Sequence, residues 1–345
     1  MDASAATVTG DRSVLERSPA ARLPDRILKW GLTALAVLIL ALLVYFFVRL
    51  IGESRLAFSK FGLSFIFANN WNVATNTYEA WALVVGTLIT SAIALLLGVP
   101  VAVATALFLT ELCPVRLRSG FAVMVDLLAA VPSVVYGLWG VFFLCPKLLP
   151  AEKWFASTFS FIPWIGGGTP TLYNVFIAGL ILAIMILPIV SAISREVLTT
   201  VPRDNKEAAL ALGATRWEMM RMAVLPYSKA GIAGGAMLGL GRAIGETIAV
   251  VLVVGNAPQI PKHLFNQGYT LAAVIANEFG EASNVAIHSS ALFACGLVLF
   301  VLTLFVNFFA RRIVVRGTTD KRRRRLPRRK GAAKVAAPAV EAGSG

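Results

Sequence analysis

The stretch Lys206–Pro226, "KEAALALGATRWEMMRMAVLP", interrupts a chain that is otherwise dominated by long apolar runs. It is rich in Ala, Leu, Glu, Arg and Met, which are strong helix formers, with Asp204 or Asn205 available in front as an N-cap and Gly213 in the middle as a break. We therefore predict two short helices, with Pro226 ending the unit. Composition alone favours a helix lying in the lipid headgroups, and only the rest of the chain can indicate a more specific role.

The regions on either side of this stretch have the composition of a membrane protein. Of 345 residues, 57% are hydrophobic and 14% are charged, and the mean hydropathy is +0.75. Soluble domains are about half apolar and about a quarter charged. A bilayer core about 30 Å thick requires about 20 mostly apolar residues per helix. We predict an all-α integral membrane protein whose six transmembrane helices are Ile27–Leu50, Trp81–Leu109, Phe121–Leu144, Tyr173–Ile193, Gly231–Val254 and Ile287–Ala310.

The distribution of Lys and Arg predicts the orientation of these spans. The side that holds both termini carries 25 of the 32 Lys and Arg residues, and the cytoplasmic side of a membrane protein keeps such an excess. We therefore expect a cytoplasmic N-terminal segment 1–26, a transmembrane domain 27–310 with a cytoplasmic loop 194–230, and a basic, disordered cytoplasmic tail 311–345. The net charge of +14 is then mainly a topology signal, and the tail favours contact with anionic membrane lipids over nucleic acid.

The sequence lacks the residue patterns that several kinds of chemistry require. No G-x-x-x-x-G-K-[ST] phosphate-binding loop occurs, so any use of ATP would have to come from a partner. Neither His263 nor His288 has a metal-ligand neighbour at i+3 or i+4, and the three cysteines do not form a disulfide framework. We predict no catalytic residue, no metal site and no cofactor in the chain itself.

One predicted span carries two full charges, Arg242 and Glu246, within "GRAIGETIAV". A charge at the centre of a spanning helix costs about 2.5 to 3.5 kcal/mol, so such residues usually face a bundle interior or a watery cavity. We expect Arg242 near the midplane, with Glu246 at i+4 on the same helical face. Either the two charges neutralise each other and lock two helices together, or Arg242 binds an anion while Glu246 keeps the empty cavity near neutral. In the second hypothesis Thr247 adds a hydroxyl.

A second candidate for the pathway is the sequence "AAVPSVVYG" in the third predicted span. A proline in mid-span frees a carbonyl and bends the helix, and Ser133 and Tyr136 place hydroxyls nearby. A plain kink at Pro132 is the alternative interpretation.

The stretch quoted first resembles the cytoplasmic signature of ABC importer permeases, which reads E-A-A, three residues, G, nine residues, then I-x-L-P. Here Glu207, Ala208 and Ala209 are followed by Gly213, and the pattern closes on Leu225 and Pro226, with Ala223 in place of the isoleucine. The resemblance implies the type I ABC importer permease fold. It also implies that this unit docks in a cleft of an ATPase subunit and transmits its closure to the membrane helices.

Three further stretches resemble phosphate-specific permeases of the PstC type: "ALFLTEL" (Ala106–Leu112), "LLAAVPSVVYGLWGVF" (Leu127–Phe142) and "GRAIGETIAVVLVVGN" (Gly241–Asn256). The resemblance implies a bacterial plasma-membrane protein that imports inorganic phosphate by alternating access. It implies a PstA-type permease partner, two PstB-type ATPase subunits that use ATP and Mg²⁺, and a PstS-type phosphate-binding protein. Sulfate or molybdate as the substrate, a secondary anion transporter and a membrane-embedded enzyme are the alternatives.

Overall fold

The computed structural model describes the backbone of residues 22–325 except Gly167 and Ser283, and side-chain environments for residues 26–312 outside the same two positions. The described chain is mostly helical. Its α-helices are α1 (Arg22–Phe61), α2 (Ser64–Phe67), α3 (Trp81–Leu107), α4 (Val115–Ala130), α5 (Ser133–Trp139), α6 (Cys145–Thr158), α7 (Val175–Thr199), α8 (Arg203–Ala211), α9 (Arg216–Met219), α10 (Leu225–Gly245), α11 (Ile248–Val253), α12 (Leu271–Ala282) and α13 (Ala286–Arg325). Short π-helical turns adjoin α3, α5 and α9: π1 (Phe108–Leu112), π2 (Gly140–Leu144) and π3 (Met220–Val224).

Helices α3 and α7 form the centre of the bundle. The α7 helix is apolar over most of its length and is the most buried of the long apolar helices, because α3, α10 and α11 cover it. Asn174 caps it by accepting a hydrogen bond from the amide of Ile177 at 2.9 Å. A Cβ atom on Gly179 would lie 2.6 Å from the side chain of Ile93 on α3, so this glycine permits the close packing of the two helices.

Helices α1 and α13 pack against each other at the periphery. Most apolar side chains of α1 between Ile27 and Phe46 are exposed, as expected for a surface that faces lipid tails. Within the described residues, five helical stretches are long and apolar enough to cross a membrane: Arg26–Phe61, Trp81–Leu112, Ser133–Thr158, Val175–Thr199 and Ala286–Arg312. Four of them correspond to the first, second, fourth and sixth predicted spans.

The bounds predicted for the third span, Phe121–Leu144, are wrong because the chain is broken at Pro132. The α4 helix ends at Ala130, and Val131 and Pro132 adopt ψ angles of 126° and 141°. Proline disfavours helical geometry in the residue before it and has no amide hydrogen to continue the helix. A new helix begins at Ser133 and continues through π2 and α6 to Thr158, so this later stretch is the candidate span.

The fifth predicted span, Gly231–Val254, is wrong as a single helix. Helical structure begins earlier, and α10 ends at Gly245, after which Glu246 is extended with φ −71° and ψ 129°. Each glycine costs a helix about 1 kcal/mol relative to alanine, and three of them near the end of α10 weaken its last turns. The 21 residues of α10 are about 30 Å long. This helix therefore also has the length of a span, although it carries Lys229 and Arg242 and is not among the five apolar stretches.

The glycines of α10 lie on two different faces of the helix. Cβ atoms on one face would lie 2.4 to 3.1 Å from side chains of α7, so these glycines permit tight helix packing: Gly231, Gly235 and Gly239. Cβ atoms on the other face would meet no atom within 4 Å in the described chain: Gly234, Gly241 and Gly245. The second face is therefore open, and it borders Arg242.

The two ends of the chain lie partly outside the described residues. The expected N-terminal segment falls there up to residue 21, as does the expected disorder of residues 326–345. The α13 helix continues past the expected start of the tail at Arg311 and is helical through Arg325.

Candidate functional site

Arg242 lies in the last turns of α10, and its side chain is exposed. The prediction that Glu246 shares its helical face is wrong, because the helix ends at Gly245 and the extended backbone at Glu246 redirects the chain. Among the described residues, Arg242 has no carboxylate oxygen within 4.0 Å. The hypothesis of a neutralised pair that locks two helices therefore has no support in this geometry, and Arg242 presents a full positive charge.

Two chain breaks lie at the same level beside this arginine. Cβ atoms on Gly137 and Gly140 would lie 3.1 Å from Cα of Ala249 and 2.9 Å from the side chain of Val253 respectively, so α5 and α11 run side by side in the same direction. Their N-terminal ends, at Ser133 and Ile248, consequently lie close to one level. The first amides of a helix have no intrahelical acceptor and carry partial positive charge. Such discontinuous helices create polar backbone inside an apolar layer, where transporters place binding sites.

The hydroxyls predicted for this region have different surroundings. Tyr136 is buried, and its hydroxyl donates a hydrogen bond to the carbonyl oxygen of Leu128 at 2.7 Å, across the break at Pro132. It also lies near enough to Arg242 to interact with it electrostatically. Ser133 is half-buried in the first turn of α5. The hydroxyl of Thr247 donates to the carbonyl oxygen of Gly245 at 3.2 Å, which leaves its oxygen free to accept.

Arg242 also lines a large open cleft between α7, α10 and α13. The cleft has a volume of about 980 Å³, and apolar side chains form most of its wall. Its polar side chains come from Arg242 on α10 and from Asn307 and Arg311 on α13. The cleft therefore connects the region of the chain breaks with the end of α13 that carries the basic residues.

The predicted pair of short cytoplasmic helices is present as α8 and α9. Gly213 separates them with φ +87°, a left-handed conformation that glycine adopts without strain. Thr215 and Glu218 form a capping box at the start of α9, and the hydrogen bonds from Thr215 hold the pKa of the Glu218 carboxyl below its usual value.

Two details of this unit differ from the prediction. The residue that caps α8 is Pro202 rather than Asp204 or Asn205, because the helix begins earlier, at Arg203. Pro226 does not end the unit. It is the second residue of α10, directly after π3, and helical structure runs on from α9 through π3 into α10.

The outer surface of the unit formed by α8 and α9 is open to solvent. Glu207 and Ala208 are exposed, whereas Ala209 is half-buried and packs inward. Leu212 and Trp217 are 89% and 60% exposed, so this surface carries large apolar side chains as well as polar ones. We call this surface, Glu207 to Trp217, the docking face.

The inner surface of the same unit is attached to the membrane helices in two ways. Lys206 of α8 forms an ion pair with Glu111 of π1 at 2.6 Å, and their side chains are only 22% and 10% exposed. Below it, a separate apolar cluster joins α3, α7 and π3: Ala106, Leu107, Leu198, Val201, Met219, Met220 and Val224, with Ala209 and Leu225 packed against it. A movement of α8 would therefore act on the ends of α3, α7 and α10.

Some charged positions were not predicted from the sequence. Besides Glu111 and Lys206, a buried cluster on the side opposite the docking face centres on Glu278, which accepts hydrogen bonds from the Trp71 indole at 3.1 Å and pairs with His288 at 2.9 Å. The sequence signal for Glu278 was a charged residue inside a mostly apolar stretch, as it was for Arg242. The partners are far apart in the sequence, so the pairs themselves could not be identified.

Comparisons with known proteins agree with this architecture. Residues 98–317 match the family described as binding-protein-dependent transport system inner membrane component. The chain is 44% identical over 286 residues to the phosphate transport system permease protein PstC of Pasteurella multocida, covering 81% of this chain and 88% of the relative. It is 44% identical to the PstC protein of Mesorhizobium japonicum over 85% of this chain and 91% of the relative, and 41% identical to PstC 2 of Mycobacterium tuberculosis over 85% and 92%.

A solved structure supports the fold alone. The crystal structure of a bacterial ABC transporter involved in the import of the acidic polysaccharide alginate aligns with a TM-score of 0.53 at 20% identity, covering 85% of this chain and 99% of that chain.

The match to the family and the identity to the PstC relatives decide where the chain belongs. It is a member of the family of binding-protein-dependent transport system inner membrane components, and within it of the phosphate transport system permeases of the PstC type.

Proposed function

We propose that this chain is the membrane-spanning permease subunit of an ATP-driven importer of inorganic phosphate, and that it moves the anion by alternating access. The observation that carries the proposal is the 44% identity to PstC proteins over more than four fifths of the chain. The substrate class follows from those relatives. The geometry of Arg242 and the two chain breaks supports an anion as the transported species.

Arg242 is the residue we propose to contact the phosphate. A guanidinium presents several N–H donors in a fixed fork that matches the oxygens of phosphate. The first-turn amides of α5 and α11 and the hydroxyls of Ser133 and Thr247 are further groups near the two breaks. Glu246, half-buried in the break itself, keeps the local charge of the empty site low without pairing directly with Arg242. Weak retention matters, because an anion that binds too tightly is not released.

Tyr136 has a supporting role in this proposal. Its hydroxyl proton is directed to the Leu128 carbonyl, which Pro132 leaves without its usual helical donor. The side chain thus stabilises the break that exposes the N-terminal end of α5.

The docking face is the surface we propose for the ATPase partner. Its exposed glutamate and small residues, Glu207, Ala208 and Gly213, together with the apolar Leu212 and Trp217, suit insertion into a cleft of another protein. The proposed assembly contains a PstA-type permease subunit, two PstB-type ATPases and a PstS-type phosphate-binding protein. ATP and Mg²⁺ would be used by the ATPases, and this chain would catalyse no reaction. The excess of Lys and Arg supports placing both termini in the cytoplasm.

The test is uptake of radiolabelled phosphate by the reconstituted complex, with ATP and loaded binding protein on the appropriate sides. The wild-type complex should import phosphate only with ATP. Arg242→Gln should lower uptake by about 100-fold, since a hydrogen-bonded charge contributes about 1.5 to 3 kcal/mol. Arg116→Gln, on the exposed surface of α4, is the matched control and should leave uptake unchanged. Normal uptake by the Arg242 variant, or a preference for sulfate over phosphate, would refute the corresponding part of the proposal.

A further inference from the structure

The cleft between α7, α10 and α13 has one cation at each end. Arg242 of α10 lines the end next to the chain breaks, and Arg311 of α13 lines the opposite end, with Asn307 between them. Asn307 and Arg311 are four residues apart on one helix and therefore share its face. Met237, Leu238 and Phe308 provide apolar walls.

The packing of α10 against α13 indicates how far along the cleft Arg311 lies. A second cavity of about 500 Å³ lies beyond the cleft, and Gly241 and Leu304 border both cavities. From that shared boundary the cleft follows α10 backwards to Ala230 and α13 forwards to Arg311, so the two helices are antiparallel. Arg311 is seven residues past Leu304, which is about 10 Å along the helix axis at 1.5 Å per residue.

Three cations at this end of the molecule have partners that Arg311 lacks. Lys206 is paired with Glu111, Arg195 is paired with Asp126, and Arg312 lies over the ring of Phe308 at 4.9 Å. In the described part of the chain, Arg311 has no carboxylate within ion-pairing distance, and the side chain of Asn307 has no hydrogen-bond partner. Both side chains therefore present unused donors to the same cleft as Arg242.

Arg311 therefore lies about 10 Å further along the cleft than the level of Leu304, so its guanidinium can hold an oxyanion closer to the end of α13 than Arg242 can. The wall of the cleft is mostly apolar, and an apolar wall strengthens the attraction of each cation for an oxyanion. Two successive weak sites allow an anion to leave the first without returning to bulk solvent, which is the arrangement that conduction requires.

We infer that Arg311, with Asn307, forms a second oxyanion subsite at the far end of the cleft, and that it receives phosphate from Arg242 on the way to the cytoplasm. The inference rests on the proposed function. The chemistry recognised is a phosphate oxyanion, which a free phosphate ion and an anionic lipid headgroup both possess, and we assign the subsite to the free ion.

The test compares Arg311→Gln with Arg312→Gln in the reconstituted complex. The two residues are adjacent, carry the same charge and contribute equally to the positive-inside signal, but only Arg311 lines the cleft. Arg311→Gln should lower the maximal rate of phosphate uptake about tenfold, the loss of about one charged hydrogen bond. The concentration of loaded binding protein that gives half-maximal uptake should not change, and Arg312→Gln should behave as the wild type. Arg311→Lys should restore part of the rate, because it keeps the charge.

Vesicles of neutral lipid and vesicles with anionic lipid separate the two sources of the oxyanion. The defect of Arg311→Gln should be the same in both. A defect seen only with anionic lipid, or equal defects in the two variants, would overturn the inference in favour of headgroup binding or topology. The proposed function stands if the wild type imports phosphate and Arg242→Gln lowers that uptake about 100-fold. A normal rate for Arg311→Gln under the same conditions would then refute the subsite alone.

Discussion

The ion pair between Lys206 and Glu111 is expected to carry force from the docking face to the membrane helices. Breaking a fully buried pair costs about 3 to 5 kcal/mol, and an exposed pair contributes about 0 to 1 kcal/mol. The 2.6 Å contact, with side chains 22% and 10% exposed, lies between these limits. We expect a coupling energy of about 2 kcal/mol, which corresponds to a change of about 30-fold in an equilibrium or a rate.

The perturbation is a double-mutant cycle with Lys206→Met, Glu111→Gln and the double variant that combines them, and the charge-swapped variant Glu111→Lys, Lys206→Glu is measured beside it. Lys206→Met should be the worse single change, because it leaves the more deeply buried carboxylate without a partner. Arg203→Met, on the exposed surface of the same helix, is the control. The assay is the number of phosphate ions imported per ATP hydrolysed by the purified complex.

The docking face is untouched by these changes, so the ATPases should still assemble and hydrolyse ATP while uptake falls about 30-fold. The swapped pair should recover at least half of the lost free energy. Effects of the two single changes that simply add, with no recovery in the swap, would refute a mechanical role for the pair. The apolar cluster around Met219 and Met220 would then carry the movement alone.

The remaining predictions concern packing, docking and pH. Gly86→Ala would place a Cβ atom against the carbonyl oxygen of Tyr269. This clash should lower the free energy of unfolding by about 1 to 3 kcal/mol, measured by thermal denaturation in detergent. Gly120→Ala should not lower the free energy of unfolding, because the described chain leaves open space at that position. Equal stabilities of the Gly86→Ala and Gly120→Ala variants would contradict the packing argument. Leu212→Ser should weaken co-purification of the ATPases without changing that stability, and an unchanged yield of complex would exclude Leu212 from the docking face. The pKa of the Glu218 carboxyl is lower in the folded protein than in the unfolded chain, where it is near 4.3. The carboxylate therefore stabilises α9 fully above the unfolded pKa, and this stabilisation is lost as pH falls through the lower pKa of the folded protein. Hydrogen exchange in α9 should show this loss of protection, and Thr215→Ala should remove the pH dependence.

The general architecture was predictable because long apolar runs have few alternatives in a membrane protein. The positions of α1, α3, α7 and α13 followed from such runs, and Gly213 followed from the shortage of other residues that adopt a left-handed conformation. The stretch from Glu207 to Pro226 was correctly predicted to contain two short helices divided at Gly213, although Pro226 begins α10 and does not end the unit.

The helix breaks were the part that the sequence could not place. Pro132 was recognised, but whether a proline kinks or ends a helix depends on the groups that satisfy the freed carbonyl, here the hydroxyl of Tyr136. Gly245 gave a weaker signal, and the i+4 spacing from Arg242 to Glu246 wrongly suggested a shared face. Long-range pairs such as Lys206 with Glu111 depend on how helices pack, so single-sequence patterns do not contain them.

The most direct test of the account is transport by the reconstituted complex of this chain with its permease partner, ATPases and phosphate-loaded binding protein. We predict ATP-dependent uptake of radiolabelled phosphate that excess sulfate does not inhibit and that Arg242→Gln lowers about 100-fold while the complex remains assembled. Uptake without ATP, equal uptake of sulfate, or full activity of the Arg242→Gln variant would contradict the central claim.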